Sequence, residues 1–229
     1  MMKRLLVLTG AAGILNCMVS LAAPVDEHVR GTIVSVSPDT LIVHTESAGD
    51  VSVSLIGGTH YLQVVQSSLD KIEPGDYIGT PTKEIGSSQI ALAVMIFPAA
   101  MQGANAGHFD YDRLPDTTLS GGATTASKMT NGNVSAVTAR QGAMANTKMT
   151  NGNVSASTSG NGVKRLTVTY QGGQQTVVVP PTAPVVNLVP GTISDLSKGA
   201  YVFVDAARDG SALTAGLVAA GVGGLKPAF

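Results

Sequence analysis

Period-two alternation of apolar and polar residues is the pattern that most limits what this chain can fold into. Val51, Val53 and Leu55 alternate with Ser52 and Ser54, and Leu166, Val168 and Tyr170 alternate with Thr167 and Thr169. Ile90, Leu92, Val94 and Ile96 alternate with Ala91, Ala93 and Met95, and Leu213, Ala215 and Leu217 follow the same rule near the end. Successive side chains of a strand face opposite ways, so this period gives each segment one apolar face to bury. No long stretch carries the 3.6-residue apolar stripe of an amphipathic helix. Val, Ile and Thr fill the runs, and Gly, Asn and Pro punctuate them. The expected fold class is all-β.

The alternating runs fall into two halves with one plan. Gly31–Val36 precedes Leu41-Ile42-Val43, a turn at Gly49-Asp50, and Val51-Ser52-Val53. In the second half Gly152–Ala156 precedes Leu166–Tyr170, a turn at Gly172-Gly173, and Thr176–Val179. The sharpest match comes next: Ser68-Leu69-Asp70-Lys71-Ile72-Glu73-Pro74-Gly75-Asp76-Tyr77 aligns with Thr192-Ile193-Ser194-Asp195-Leu196-Ser197-Lys198-Gly199-Ala200-Tyr201. Ser68 and Thr192 suit an N-cap, the apolar pairs at i and i+3 suit one helical turn, and Gly75 and Gly199 end it. Each half closes with a further strand, around 90–97 and 213–219. Five strands with a helical turn between the third and fourth predict a small closed Greek-key barrel of the OB type. The expectation is two tandem OB-like β-barrels, at 26–99 and 127–225, each with one short helical turn, joined by a flexible linker over 100–126 rich in Gly, Ala, Asn, Thr and Ser. Lys128–Ala136, reading KMTNGNVSA, recurs unchanged as Lys148–Ala156. Two copies are too few for a solenoid. Either copy could supply the first strand of the second barrel.

The first 22 residues have a different character. Met1-Met2-Lys3-Arg4 is a short positive start, Leu5–Leu21 carries no charge, and Ser20-Leu21-Ala22 offers a small-x-small cleavage site. This is the layout of a secretory signal peptide, so residues 1–22 are expected to direct export, to the periplasm or beyond. The single cysteine, Cys17, lies inside it, which leaves the remainder without thiol or disulfide chemistry. The formal net charge of the chain is −1, and removing Lys3 and Arg4 makes it more acidic. An acidic chain with no Trp offers neither a basic footprint nor base-stacking platforms, which argues against nucleic-acid binding. No second segment has the length of a membrane helix: Leu213–Leu225 is apolar but short and glycine-rich, so no transmembrane span is expected.

Gly31–Val36, Leu69–Gly79, Phe97-Pro98-Ala99-Ala100-Met101 and Gly107-His108 together resemble a group of uncharacterised exported bacterial proteins, some labelled "metal ABC transporter permease". The barrels resemble a broader exported domain family of unknown function. The resemblance covers most of residues 29–225 and rests on turn and strand residues, so it implies a fold more than a chemistry. Where that group follows Gly-His with basic and aromatic residues, this chain has Phe109-Asp110-Tyr111-Asp112-Arg113.

Motifs for chemistry are sparse. Ser68-x-x-Lys71 matches the nucleophile motif of penicillin-binding enzymes, but no Ser-Asp-Asn or Lys-Thr-Gly accompanies it. His28, His44, His60 and His108 form no His-x-x-x-His or His-x-His pair. His108 with Asp110 and Asp112 is the best candidate cluster, since imidazole and carboxylates at this spacing could ligate Cu or Zn. Met95, Met101, Met129, Met144 and Met149 lack the close spacing of a soft-metal motif. The chain is therefore expected to be a non-enzymatic binding or assembly module of the cell envelope, without a cofactor, whose partner is a protein, a glycan or another envelope component. The alternative is a periplasmic metal-binding or metal-delivery accessory using His108, Asp110 and Asp112.

Overall fold

The computed structural model describes residues 23–119, 122–139 and 162–229. The expected leader (1–22) and the second KMTNGNVSA copy (148–156) lie outside the described residues. The fold is all-β, and no helix among the described residues is long and apolar enough to cross a membrane. The first half supplies β1 (Val25–Val36), β2 (Thr40–Thr45), β3 (Gly49–Ser54), β4 (His60–Gln66), β5 (Tyr77–Ile85), β6 (Ser88–Ala91) and β7 (Val94–Ile96). An additional strand, β8 (Gly107–Pro115), follows. The second half supplies β9 (Thr124–Ala139), β10 (Lys164–Tyr170), β11 (Gly173–Val179), β12 (Val185–Pro190), β13 (Tyr201–Asp209) and β14 (Ala212–Gly221).

The alternation sets the inner faces of β2 and β10 as expected, whereas the run 90–97, expected as one strand, is split between β6 and β7, with Gln89 and Met95 buried and Ile90 and Ile96 only half-buried. Leu41 and Val43 of β2 are fully buried while His44 is exposed, and Leu166 and Val168 of β10 face inward together. Both matched segments form single 3-10 turns, at Leu69–Lys71 and Ile193–Asp195. In the second, the Asp195 carboxylate accepts hydrogen bonds from the Thr192 amide (2.7 Å) and hydroxyl (3.0 Å). Ser68 makes no side-chain cap bond. The first KMTNGNVSA copy forms the centre of β9.

Strand partnership departs from the tandem plan. The β1–β2–β3 meander is not closed by β5 and β6, as contiguous halves would require. It is closed by β13, antiparallel to β1, and by β14, which meets β3 in parallel at Thr214 and Ser54. Equally, β9–β10–β11 is closed by β5, antiparallel to β9, and by β6, parallel to β11. Each half therefore donates its last strands to the other. The helical turns travel with them. Gly75 and Asp76 exchange backbone hydrogen bonds with Val134 of β9, while Gly199 and Ala200 do the same with Ile33 of β1, all at 2.8–2.9 Å. Two glycines permit this. A Cβ on Gly31 would overlap the His44 carbonyl oxygen, and one on Gly132 would overlap that of Thr169, so each long strand crosses its neighbour only where no side chain exists.

The crossing itself is the antiparallel pairing of β4 with β12, in which Val64 lies opposite Leu188. β4 continues in parallel beside β14, and β12 beside β7. Three apolar clusters result. One joins Ile33, Leu41, Val43 and Val53 to Val204 and Val218. A second joins Ile78 and Val94 to Val134, Leu166, Val168 and Val177. The third lies over the crossing and holds Leu62, Val64, Met95, Met129, Leu188, Phe203 and Phe229.

The segment 100–126, expected as a flexible linker, contains β8 and is anchored. β8 pairs with β9 from Gly107 to Pro115. Leu114 is buried, and the buried Asp116 carboxylate accepts a hydrogen bond from the buried Lys83 ammonium at 2.6 Å. Lys83 also donates to the Thr118 hydroxyl at 2.5 Å, so the buried charge is paired and further hydrogen-bonded.

The exchange predicts how fragments behave. Residues 26–99 alone hold β1–β3 without the strands that close them, and β5–β6 without β9 and β11. Expressed by itself, this fragment is expected to give an unfolded or self-associating species by NMR dispersion and size exclusion. Adding residues 100–229 in trans is expected to restore a folded one-to-one complex. A stable folded monomer of 26–99 would contradict the exchange.

Candidate functional site

The third cluster is open on one side, where a cavity of about 690 Å3 enters it. Its apolar wall comes from both halves: Leu62 and Leu188 of the crossing strands, Met95, Met101 and Met129, and the rings of Phe97, Phe109, Tyr111, Phe203 and Phe229. Its polar wall is Asp26, His28, Asp110, Asp112, Asn131 and Asp205. Period two explains the grouping: Asp26 and His28 share a face of β1, Met129 and Asn131 a face of β9, and Phe203 and Asp205 a face of β13.

The two halves are related here by their common plan, and the cavity sits where the relation breaks. Aligning Gly31 with Gly132 puts Arg30 in the place of Asn131, and aligning Tyr201 with Tyr77 puts Phe203 in the place of Gly79. Arg30 is paired across the sheet with Phe203, and Asn131 with Gly79. On the first side the space is filled. The Arg30 guanidinium lies 4.9 Å from the Phe203 ring centre, its Nε donates to the Phe229 carbonyl at 2.7 Å, and it pairs with Asp112 at 2.6 Å. On the second side Gly79 contributes nothing. A Cβ there would stand 2.7 Å from Asn131 Oδ1, 2.8 Å from Phe97 and 3.0 Å from Met95. Asn131 is only 6% exposed; its Nδ2 donates to the Asn105 carbonyl at 3.1 Å, while its Oδ1 has no partner among the described residues. A buried acceptor left bare costs about 1–3 kcal/mol.

The charged rim is built around His28. Its Nδ1 donates to Asp112 at 2.6 Å and its Nε2 stands 3.9 Å from Asp205 Oδ1. The ring packs 5.2 Å from Tyr111 and 5.3 Å from Phe203. The His28 hydrogen bond, helped by the Arg30 charge, holds the Asp112 carboxyl below its ordinary value against the effect of burial. Burial pushes the Tyr111 phenol up to about 12, so it keeps its proton. Asp205 goes the other way: burial raises it, and the nearby Asp26 charge adds to the rise.

The residues singled out from sequence all lie on β8, but each has its own partner. His108 Nδ1 is 2.8 Å from the Thr130 hydroxyl, and burial holds its imidazole below the ordinary value. Asp110 accepts from the Lys128 ammonium at 2.7 Å, and that bond keeps its carboxyl low. Asp112 is committed to His28 and Arg30. Among the described residues no three His, Cys, Asp or Glu side chains converge as a metal-holding group. Ser68 and Lys71 line a separate polar recess of about 570 Å3 with Asp76 and Asn187, whose Oδ1 is likewise unpartnered. Sequence reasoning missed His28, Asn131 and the joint placement of three methionines, because long-range pairing alone assembles them. No family model, curated protein or solved structure matches this chain.

The raised Asp205 has a consequence for stability. Its folded-state pKa lies above the unfolded value, so the group lowers stability at neutral pH, and this effect fades as pH falls below the ordinary 3.8, where both states are protonated. Asp205→Asn is therefore expected to raise the Tm at pH 7 and to leave it unchanged near pH 3, measured by thermal melts followed by circular dichroism. A lower Tm at pH 7 would show that Asp205 is held by a favourable charge instead.

Proposed function

We propose that this chain is a non-enzymatic binding module of the cell envelope. It comprises two OB-like barrels, each closed by strands from the opposite half, that hold a small ligand in the cavity over their crossing. The observation that carries the reading is the cavity itself, whose largely apolar wall of methionines and aromatic rings comes from both halves. The volume falls in the usual range for small-molecule sites, roughly 300–1,000 Å3, and apolar walls with a few placed polar groups are their normal construction. The titratable groups support holding a ligand over transforming one: Asp110 and Asp112 are tied to cations, and Tyr111 keeps its proton. Export follows from the N-terminal pattern of charge, apolar run and small-residue site.

The rival reading, periplasmic handling of Cu or Zn, draws support from a different residue set than His108, Asp110 and Asp112. Met95, Met101 and Met129 all face the cavity, and thioethers are soft ligands suited to Cu(I).

One experiment separates the two. Protein labelled with 13C at methionine methyls is titrated with 4-phenylbutanol, a neutral amphiphile, and separately with Cu(I) and Zn(II). The binding reading expects saturable shifts of the Met95, Met101 and Met129 methyls with 4-phenylbutanol. Silence with the alcohol together with stoichiometric Cu(I) shifts of the same methyls would establish the rival. Zn(II) binding lost in His108→Ala would restore the β8 cluster as its site.

A further inference from the structure

We infer that the cavity's ligand is an amphipathic amine, an apolar or aromatic body carrying a protonated amino group. The inference rests on the cavity being the binding site proposed above. The body is matched by the wall. Thioethers adapt to irregular apolar shapes, and Met95, Met101 and Met129 lie among aromatic rings that favour stacked or edge contacts.

The head group is specified by what the wall lacks. Among the described residues, the ionisable groups facing the cavity are four aspartates, one histidine and one tyrosine, with no Lys or Arg. The cations behind the wall are already used: Lys128 pairs with Asp110, and Arg30 with Asp112. Asp26 and Asp205 have no Lys or Arg partner among the described residues, and Asp205 faces only the His28 ring at 3.9 Å. A half-buried carboxylate without a full cation is under-compensated, so an ammonium entering here gains a charge-assisted hydrogen bond as well as removing that deficit. A neutral alcohol offers Asp205 only an uncharged donor, and a carboxylate is opposed by the same aspartates.

The test uses the full protein without its leader and three probes with one body: 4-phenylbutylamine, 4-phenylbutanol and 4-phenylbutyrate, read by the methionine-methyl shifts and by calorimetry at pH 7. The expected order is amine at least about tenfold tighter than alcohol, with the carboxylate weakest. Asp205→Asn is expected to bring amine and alcohol within about threefold of each other while leaving the alcohol unchanged. Equal affinities for amine and alcohol, or a preference for the carboxylate, would overturn the ligand class while leaving the cavity as a binding site. No methyl shift with any probe would overturn both.

Discussion

The antiparallel pairing of β4 with β12 is the contact on which the rest of the structure depends. Each strand leaves one closed set of strands and carries the chain into the other. Once Val64 and Leu188 lie side by side, the strands that follow each of them are delivered to the far side. There β5 meets β9, and β13 meets β1. The exchange introduces no new kind of interaction. It makes the same antiparallel and parallel pairings that a contiguous half could make for itself, between equivalent strands, which is the energetic logic of domain swapping within one chain. Its product is that neither half has a complete core alone. Ile33 and Val204 share one cluster although they come from opposite ends of the sequence.

The same crossing creates the cavity. Residues that would face solvent in isolated halves, such as Leu62, Leu188 and Phe203, become the floor of a third cluster. Duplicated halves would put equivalent residues on both sides of that floor, and identical filling would leave no site. The pairs Arg30–Phe203 and Asn131–Gly79 break the equivalence. The first couples a guanidinium to a ring, a carboxylate and the Phe229 carbonyl, consuming its own hydrogen-bonding capacity. The second leaves one buried acceptor without a partner among the described residues. β8 and Phe229 have no counterparts in the shared plan, and both add walls at this place, Phe229 lying 5.3 Å from Phe203.

Much of the local structure was legible. The match of Ser68–Tyr77 with Thr192–Tyr201 located both helical turns, because capping and glycine termination act within a few residues. The composition of 100–126 misled for a physical reason. Gly, Asn and Ala carry weak strand preference, but β9 offered an unpaired edge, and Leu114 and the Lys83–Asp116 pair anchored what composition left undecided. His108, Asp110 and Asp112 do share a strand, as their spacing allows. Cross-strand neighbours then divided them, since Thr130 and Lys128 stand directly opposite His108 and Asp110. His28, by contrast, gave no local signal, and its partners Asp112 and Asp205 are remote in sequence.

By itself, the sequence determined that this chain is all-β, which side chains face inward along strands such as β2 and β10, and where both helical turns fall. Those properties follow from period-two alternation, from glycine at sharp turns and from caps, all of which operate over a few residues. Only the tertiary structure decided which strand lies beside which. Backbone hydrogen bonds are the same for every partner, and two halves with one pattern present equivalent edges, so alternation cannot distinguish a contiguous closure from an exchanged one. The cavity inherits that indeterminacy. Asn131 becomes a bare buried acceptor only because the strand opposite it is β5, and because the residue that strand presents there is Gly79.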